Sequence, residues 1–154
     1  MSWDGAQLKY GCINPEGKAS IIGSMGASEV IKAASGRFVK QDGSGYLEIA
    51  ADGDTELYGF VEISEQTCSA TEGSTKANCI VDANAQFKIP VDSGTYVITM
   101  RGKTCDLAVS NDIQGAQLDA SAEDTLIIHD GDLVNNAWVI VSLNPNKLGA
   151  TRVA

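Results

Sequence analysis

The chain has 154 residues, 44% hydrophobic and 20% charged, which predicts one folded domain with a single core and excludes a wholly disordered chain. Eleven Lys and Arg against twenty Asp and Glu give a net charge of −9, so we expect no direct binding to nucleic acid or to an anionic membrane. No run reaches the roughly 18 apolar residues of a membrane span.

Residues 1–35 are rich in Gly, Ala and Ser and differ from the rest of the chain. Only residues 28–34 (SEVIKAA) favour a short helix, with Ser28 as its N-cap. We therefore interpret residues 1–35 as an extended N-terminal arm whose large side chains must be buried on the same domain or on a neighbouring subunit. The anchors predicted for this intermolecular contact are Trp3, Leu8, Tyr10 and Ile13.

Residues 36–146 show a pattern of short strands and turns. The Asp-Gly-containing stretches QDGSG and ADGDTE are typical of tight turns, and eight or nine strands spaced by about ten residues predict a sandwich or barrel. We expect a mainly β protein with a compact antiparallel β-sandwich or barrel-like body, followed by a short C-terminal tail at residues 147–154. The strands are predicted at residues 37–40, 46–50, 57–63, 78–81, 86–91, 95–100, 104–109, 125–129 and 137–143, with a turn at residues 111–115.

Four cysteines are too few and too scattered for a disulfide scaffold, and they include no CxxC pair that would suggest zinc. Cys68 and Cys79 bracket a polar segment and are the one candidate disulfide. Such a bond would close a loop of about a dozen residues, whereas a reducing compartment would keep both thiols free.

Three motifs suggest chemistry, and the spacing of each argues against it. Gly102 begins a Gly-Lys-Thr sequence, but Val97 stands where a phosphate-binding loop needs its first glycine. The acidic alternations that begin at Asp52 and Asp119 lack the glycine or the final carboxylate of a calcium-binding hand. His129 and Asp130 are neighbours on a predicted strand, so their side chains should point to opposite faces. We expect no catalytic residue, metal or cofactor, and we interpret the acids as turn residues.

Trp138 lies in the last long predicted strand, AWVIVSL. A large aromatic side chain in such a strand belongs to the core or to a subunit interface. We include Trp138 among the predicted interface residues.

Four stretches together resemble the small head decoration, or cement, proteins of tailed bacteriophages: GRFVKQDGSGYLEIA, DGDTELYGFVEI, RGKTCDLAVSNDIQGAQLDASAEDTLIIHD and WVIVSLNP. They cover most of residues 36–146. The resemblance implies a structural virion protein, not an enzyme, that binds the major capsid protein on the outer surface of the shell, often as a homotrimer. It also implies assembly in the host cytoplasm. The alternative is a host-surface or carbohydrate-binding β-sandwich module.

Overall fold

The computed structural model describes residues 10–149, which contain thirteen short β-strands, two 3-10 turns and no α-helix. The 3-10 turns lie at Ile98–Met100 and Pro145–Lys147. The strands are β1 (Gly11–Cys12), β2 (Ser20–Ser24), β3 (Val30–Ile31), β4 (Phe38–Gln41), β5 (Leu47–Ile49), β6 (Gly59–Glu62), β7 (Gln66–Thr67), β8 (Lys76–Ile80), β9 (Phe87–Ser93), β10 (Thr104–Ser110), β11 (Ile113–Gln117), β12 (Leu126–Gly131) and β13 (Trp138–Leu143). The predicted fold class, a mainly β protein with a compact antiparallel body like a β-sandwich or a barrel, is confirmed.

The first sheet closes on itself. Its order is β9-β11-β10-β12-β13, and β13 pairs with β9 to complete the ring. The pairing of β11 with β9 is parallel, whereas the other pairings in the ring are antiparallel. β1 adds a short antiparallel strand to β9. Closure leaves the strands of the ring without long free edges.

The second sheet is antiparallel and has the order β2-β8-β6-β4-β5. A bridge between Met25, just after β2, and Leu47 of β5 brings its two outer strands together at one end. β3 and β7 form a separate two-stranded ribbon.

The middle strands of the second sheet are buried on both faces because alternate side chains enter two different cores. Phe38, Phe60 and Ile80 face the core shared with the first sheet, and their sequence neighbours Val39, Val61 and Cys79 face a second core. In the shared core the ring of Phe87, from the first sheet, lies 5.3 Å from that of Phe38 and 4.4 Å from that of Phe60, measured between centroids. These three rings join the two sheets.

A buried amide also joins the two sheets. The side chain of Gln114, on β11, accepts a hydrogen bond from the N–H of Phe38 at 2.7 Å and donates to the carbonyls of Phe38 and Ala50, both at 3.0 Å. The main chain of Gln114 pairs with Ser35 Oγ and with the N–H of Gly36. Gln114 therefore occupies the position of a strand partner for the start of β4.

The predicted boundary at residue 35 does not separate an arm from a body within the described residues. β1 and β2 pair with β9 and β8 of the predicted body, and β3 pairs with β7. Met25 and Ile31 are core residues. The assignment of residues 1–35 to intermolecular contacts stays a prediction.

The predicted helix at residues 28–34 is wrong. Ser28 has a positive φ of 59°, and the chain then enters β3. The guanidinium of the buried Arg37 donates to the carbonyls of Ile63, Ser35 and Lys32 at 2.7, 2.7 and 3.1 Å, and burial lowers its pKa. Those carbonyls stabilise a buried cation instead of a helical turn.

Other predicted turns and boundaries also differ from the structure. Residues 95–100 end in a 3-10 turn and not in a strand. The turn predicted at residues 111–115 consists of Asn111 and Asp112, both with positive φ, and β11 begins directly afterwards. Such a two-residue turn matches the twist of a hairpin. The predicted tail begins inside the fold, because Leu57 donates to the carbonyl of Lys147 and accepts from the N–H of Gly149.

Candidate binding surface

Two adjoining loops of the first sheet expose aliphatic side chains. Val97 and Ile98 lie between β9 and β10 and are 46% and 51% exposed, whereas Leu133 and Val134, between β12 and β13, are 61% and 88% exposed. We call the two loops that carry these four residues the apolar loops. An exposed group of apolar side chains is typical of a surface that contacts another macromolecule.

Asn136 holds the two loops together. Its side-chain oxygen accepts from the N–H of Tyr96 at 2.8 Å, and its side-chain nitrogen donates to the carbonyl of Gly94 at 2.8 Å. Asn136 has a φ of 54°, a conformation that Asn tolerates better than most residues. The loop between β9 and β10 therefore keeps a defined position beside the loop between β12 and β13.

Asp132 determines the shape of the second loop. Its carboxylate accepts hydrogen bonds from the N–H groups of Val134, Asn135 and Ala137 at 3.0, 3.0 and 3.1 Å. Hydrogen bonding, first from Asn135, lowers the pKa of Asp132. Because the carboxylate satisfies the turn, the loop presents Leu133 and Val134 on an ordered backbone.

Tyr96 packs between the two loops and the core of the first sheet. The buried Tyr96 ring lies against Gly131, where an added Cβ would be 2.4 Å from the ring. Arg101 and Asp130 form an exposed ion pair at 3.0 Å beside this contact. Exposed pairs contribute little to stability, so packing against Gly131 is the stronger constraint.

The predicted interface residues lie in different places. Trp138 is half-buried at the base of the hairpin that carries Leu133, and the ammonium of Lys88 lies 4.3 Å from the centroid of its ring. Tyr10 precedes the β1 residue that pairs with Lys88, and burial and the nearby Asp132 raise the pKa of its hydroxyl. The structure thus brings Tyr10 and Trp138 to the same region as the apolar loops.

The remaining anchors do not join this region within the described residues. Ile13 is exposed just after β1, and its N–H donates to the carbonyl of Gln86. Trp3 and Leu8 lie outside the described residues.

A groove lies between β1 and β6. It has a volume of about 600 Å³, and its lining includes Tyr10, Cys12, Arg37, Glu62 and Ser64. Burial raises the pKa of the Cys12 thiol, which disfavours the thiolate needed for a nucleophile. The groove has the size of a ligand site but lacks an activated nucleophile among these residues.

Cys68 and Cys79, the candidate disulfide pair, are free thiols in this structure, and the bond stays a prediction. Both residues are buried free thiols beside the second core, and burial raises the pKa of Cys79 to about 12. The segment between them is organised by hydrogen bonds, such as that from the N–H of Ser69 to Thr75 Oγ1 at 2.9 Å.

His129 and Asp130 have separate partners. The Nε2 atom of His129 lies 2.7 Å from Ser142 Oγ, and burial lowers the pKa of the imidazole. Asp130 binds Arg101 instead. The register of β12 against β13 shifts between Ile128 and Asp130, so His129 lies at a β-bulge, and the opposite orientation expected from a regular strand stays a prediction.

The acids that resemble calcium ligands hydrogen-bond to the protein. Asp54 binds Lys40 at 2.8 Å and the N–H of Ala51 at 2.7 Å, and Asp52 accepts from the N–H of Val109. Within residues 10–149, no three His, Cys, Asp or Glu side chains converge to form a metal site. Asp54 therefore caps its own turn, and Asp52 joins that turn to β10.

Sequence reasoning missed the apolar loops. Val97 and Ile98 fall inside the strand predicted at residues 95–100, and Leu133 and Val134 fall between the strands predicted at residues 125–129 and 137–143. The available signal was the Leu-Val pair set between Asp-Gly-Asp and Asn-Asn, because two aliphatic residues at a hairpin tip have no core to enter.

Comparisons with known proteins found no matching family model, no similar curated protein and no similar solved structure. In the part of the chain that the structure describes, no helix has the length and apolar character required to cross a membrane.

Proposed function

We propose that this protein is a structural virion protein that binds the outer surface of a phage capsid and stabilises the shell. The observation that carries the proposal is that the apolar loops are exposed and are held in place on the β body by hydrogen bonds. Asn136 and Asp132 hold these loops before any partner arrives, so little conformational entropy is lost on binding. The resemblance of residues 36–146 supplies the choice of a capsid, with the major capsid protein as partner.

The chemistry of the loops supports a contact based on packing. Val97, Ile98, Leu133 and Val134 carry no charge, whereas the chain as a whole carries −9. Burial of aliphatic side chains is not screened by salt, in contrast to attraction between surface charges. We therefore expect the protein to stay on shells when the ionic strength is raised.

The first experiment measures cosedimentation with capsids of the virus that encodes the protein. Val134→Asp should abolish binding, because it places a charge in the centre of the contact, and it should not affect folding because Val134 is 88% exposed. Ile113→Asp, at an exposed aliphatic residue on the β10–β11 hairpin, is the control and should bind normally. Normal sedimentation of Val134→Asp with the shells would refute the role of the loops.

A truncation tests the N-terminal anchors. Deleting residues 2–9 removes Trp3 and Leu8 but leaves every described strand in place. A longer deletion, to residue 20, would also remove β1 and would confound binding with folding. We expect the shorter deletion to weaken shell binding, and unchanged binding would contradict an anchoring role for these residues.

The homotrimer and the location on the virion surface, after assembly in the host cytoplasm, belong to the same proposal. Light scattering of the purified protein should give three times the chain mass of 16.1 kDa if the trimer forms before binding. Antibody labelling of intact particles tests the outer location, and particles that stay unlabelled would contradict it.

The groove favours a second candidate, the host-surface or carbohydrate-binding module. Tyr10 offers an aromatic face, and Glu62 and Ser64 offer hydrogen-bonding groups, as sugar sites require. A glycan array distinguishes the two functions. Signal that is lost in Glu62→Ala and kept in Val134→Asp would support the glycan module.

A further inference from the structure

β2 is an edge strand without the usual protection. Ser20–Ser24 pairs with β8 along one edge, and no other described strand pairs with its second edge. Backbone pairing with β5 begins only after the strand, where the N–H of Gly26 donates to the carbonyl of Leu47 at 2.8 Å. Edge strands usually carry a charged residue, a proline or a bulge that prevents pairing, and the sequence SIIGS contains no charge and no proline.

The side chains of β2 are unusually apolar for an edge. Ile22 is 72% exposed, and the adjacent Ile21 is exposed as well. In a chain with a net charge of −9, the strand itself carries no acid that would repel a second copy, and the ammonium of Lys76 on β8 lies 2.6 Å from Ser24 Oγ at its end.

The direction of the free backbone groups follows from the pairing with β8. Just outside the strand, Val81 donates to the carbonyl of Ala19 at 3.0 Å and Met25 donates to the carbonyl of Thr75 at 2.8 Å. In an antiparallel pair, hydrogen-bonded residues alternate along the strand. The odd-numbered residues of β2 therefore point their N–H and C=O groups toward β8, and Ser20, Ile22 and Ser24 point theirs outward.

We propose that β2 pairs antiparallel with β2 of a second copy of this chain, about a two-fold axis at Ile22. This register places Ser20 opposite Ser24, Ile21 opposite Gly23, and Ile22 opposite its own counterpart. Every outward backbone group then meets another outward group, and the second sheet continues from one copy into the next.

The side chains fit the same register. The two Ile22 side chains meet at the axis on one face, where a self-complementary contact requires identical groups to match. On the other face Gly23 leaves space beside Ile21, and Gly23 itself must stay small because an added Cβ would lie 2.4 Å from Leu47 Cδ1. This self-complementarity favours a second copy over an unrelated extended peptide.

This contact is independent of shell binding, and its two-fold symmetry differs from the homotrimer of the proposed function. The strand is short, so we expect a concentration-dependent dimer. The test is light scattering of the full chain from about 1 μM to about 1 mM, a range that detects weak association. The expected mass rises toward twice 16.1 kDa.

Two lysine substitutions test the dimer contact, and two cysteine substitutions test its register. Ile22→Lys places two ammonium groups at the axis and should leave a folded single chain, whereas Ile113→Lys, at an exposed aliphatic residue outside both β2 and the apolar loops, should leave the dimer intact. Ile22→Cys should form an intermolecular disulfide under mild oxidation because the paired Cα atoms would be about 5.5 Å apart. Ile21→Cys should not, because Gly23 lies opposite.

The measured mass tests the dimer, and the crosslinking tests the register. A mass equal to one chain over the whole range overturns the proposal, and so does a dimer or trimer that Ile22→Lys leaves unchanged. Crosslinking of Ile21→Cys as efficient as that of Ile22→Cys would overturn the register.

Discussion

Replacing Gln114 with Met tests whether one buried amide holds the two sheets together. Gln114 is fully buried, and its side chain is the hydrogen-bond partner of the Phe38 N–H and of the Ala50 carbonyl. Met fills a similar volume but satisfies neither group. Each unpaired buried backbone group costs about 1–3 kcal/mol, so we expect Gln114→Met to lower the free energy of unfolding by about 2–6 kcal/mol. The carbonyl of Phe38 keeps its hydrogen bond from the N–H of Ala50 and adds less.

The assay is urea unfolding followed by tryptophan fluorescence, with the free energy taken from the midpoint and the slope. Gln117→Met, on the same strand, is the control because within the described residues the Gln117 side chain is half-buried and makes no hydrogen bond. It should change stability by less than about 0.5 kcal/mol. If Gln114→Met is as stable as the wild type, the amide is not a structural tie and the reasoning is refuted.

Asp106→Asn should reduce the acid sensitivity of the fold. Burial raises the pKa of Asp106, but hydrogen bonds with the Glu123 side chain and with the N–H groups of Ala122, Glu123 and Asp124 outweigh it and lower the pKa below its ordinary value of 3.8. A lowered pKa stabilises the folded state above about pH 4, and this contribution is lost as the pH falls through the folded-state value. We expect the free energies of unfolding in urea of the wild type and Asp106→Asn to differ by about 1–3 kcal/mol at pH 7 and to converge in acid; an equal gap at both pH values would contradict this. Thiol titration should detect slow reaction of Cys68, Cys79 and Cys105 in the native protein, because all three are buried and burial raises the pKa of Cys79 and Cys105 to about 12. In urea all four cysteines should react at once, and a shortfall of two thiols would indicate a disulfide.

The body strands were predictable because their signals are local. Alternation of apolar and polar residues and the Asp-Gly turns located β4, β5 and β6 within two residues of their observed bounds. The same reasoning failed for residues 28–34, which have a helical composition. There the buried Arg37 donates hydrogen bonds to the carbonyls of Ser35 and Lys32, and no pattern in the neighbouring residues predicts that contact.

The candidate surface was less predictable than the fold. The size of the Trp138 and Tyr10 side chains is what predicts them as interface residues. Both lie near the apolar loops because β9, which contains Lys88, pairs with β1 on one side and with β13 on the other. Val134 was overlooked because its exposure depends on where the hairpin tip ends in space. Asn136 and Gly94, which join the two loops, are 42 positions apart in the sequence.

The sequence by itself determined that this is a mainly β protein with an acidic surface, because alternation, turn chemistry and charge are properties of neighbouring residues. Only the tertiary structure decided that the first sheet closes through β9 and β13, that Gln114 joins it to the second sheet, and that β2 keeps a free apolar edge. The physical reason is that closure, buried hydrogen bonds and exposed edges depend on contacts between residues far apart in the chain. The energies of those contacts appear in no local pattern.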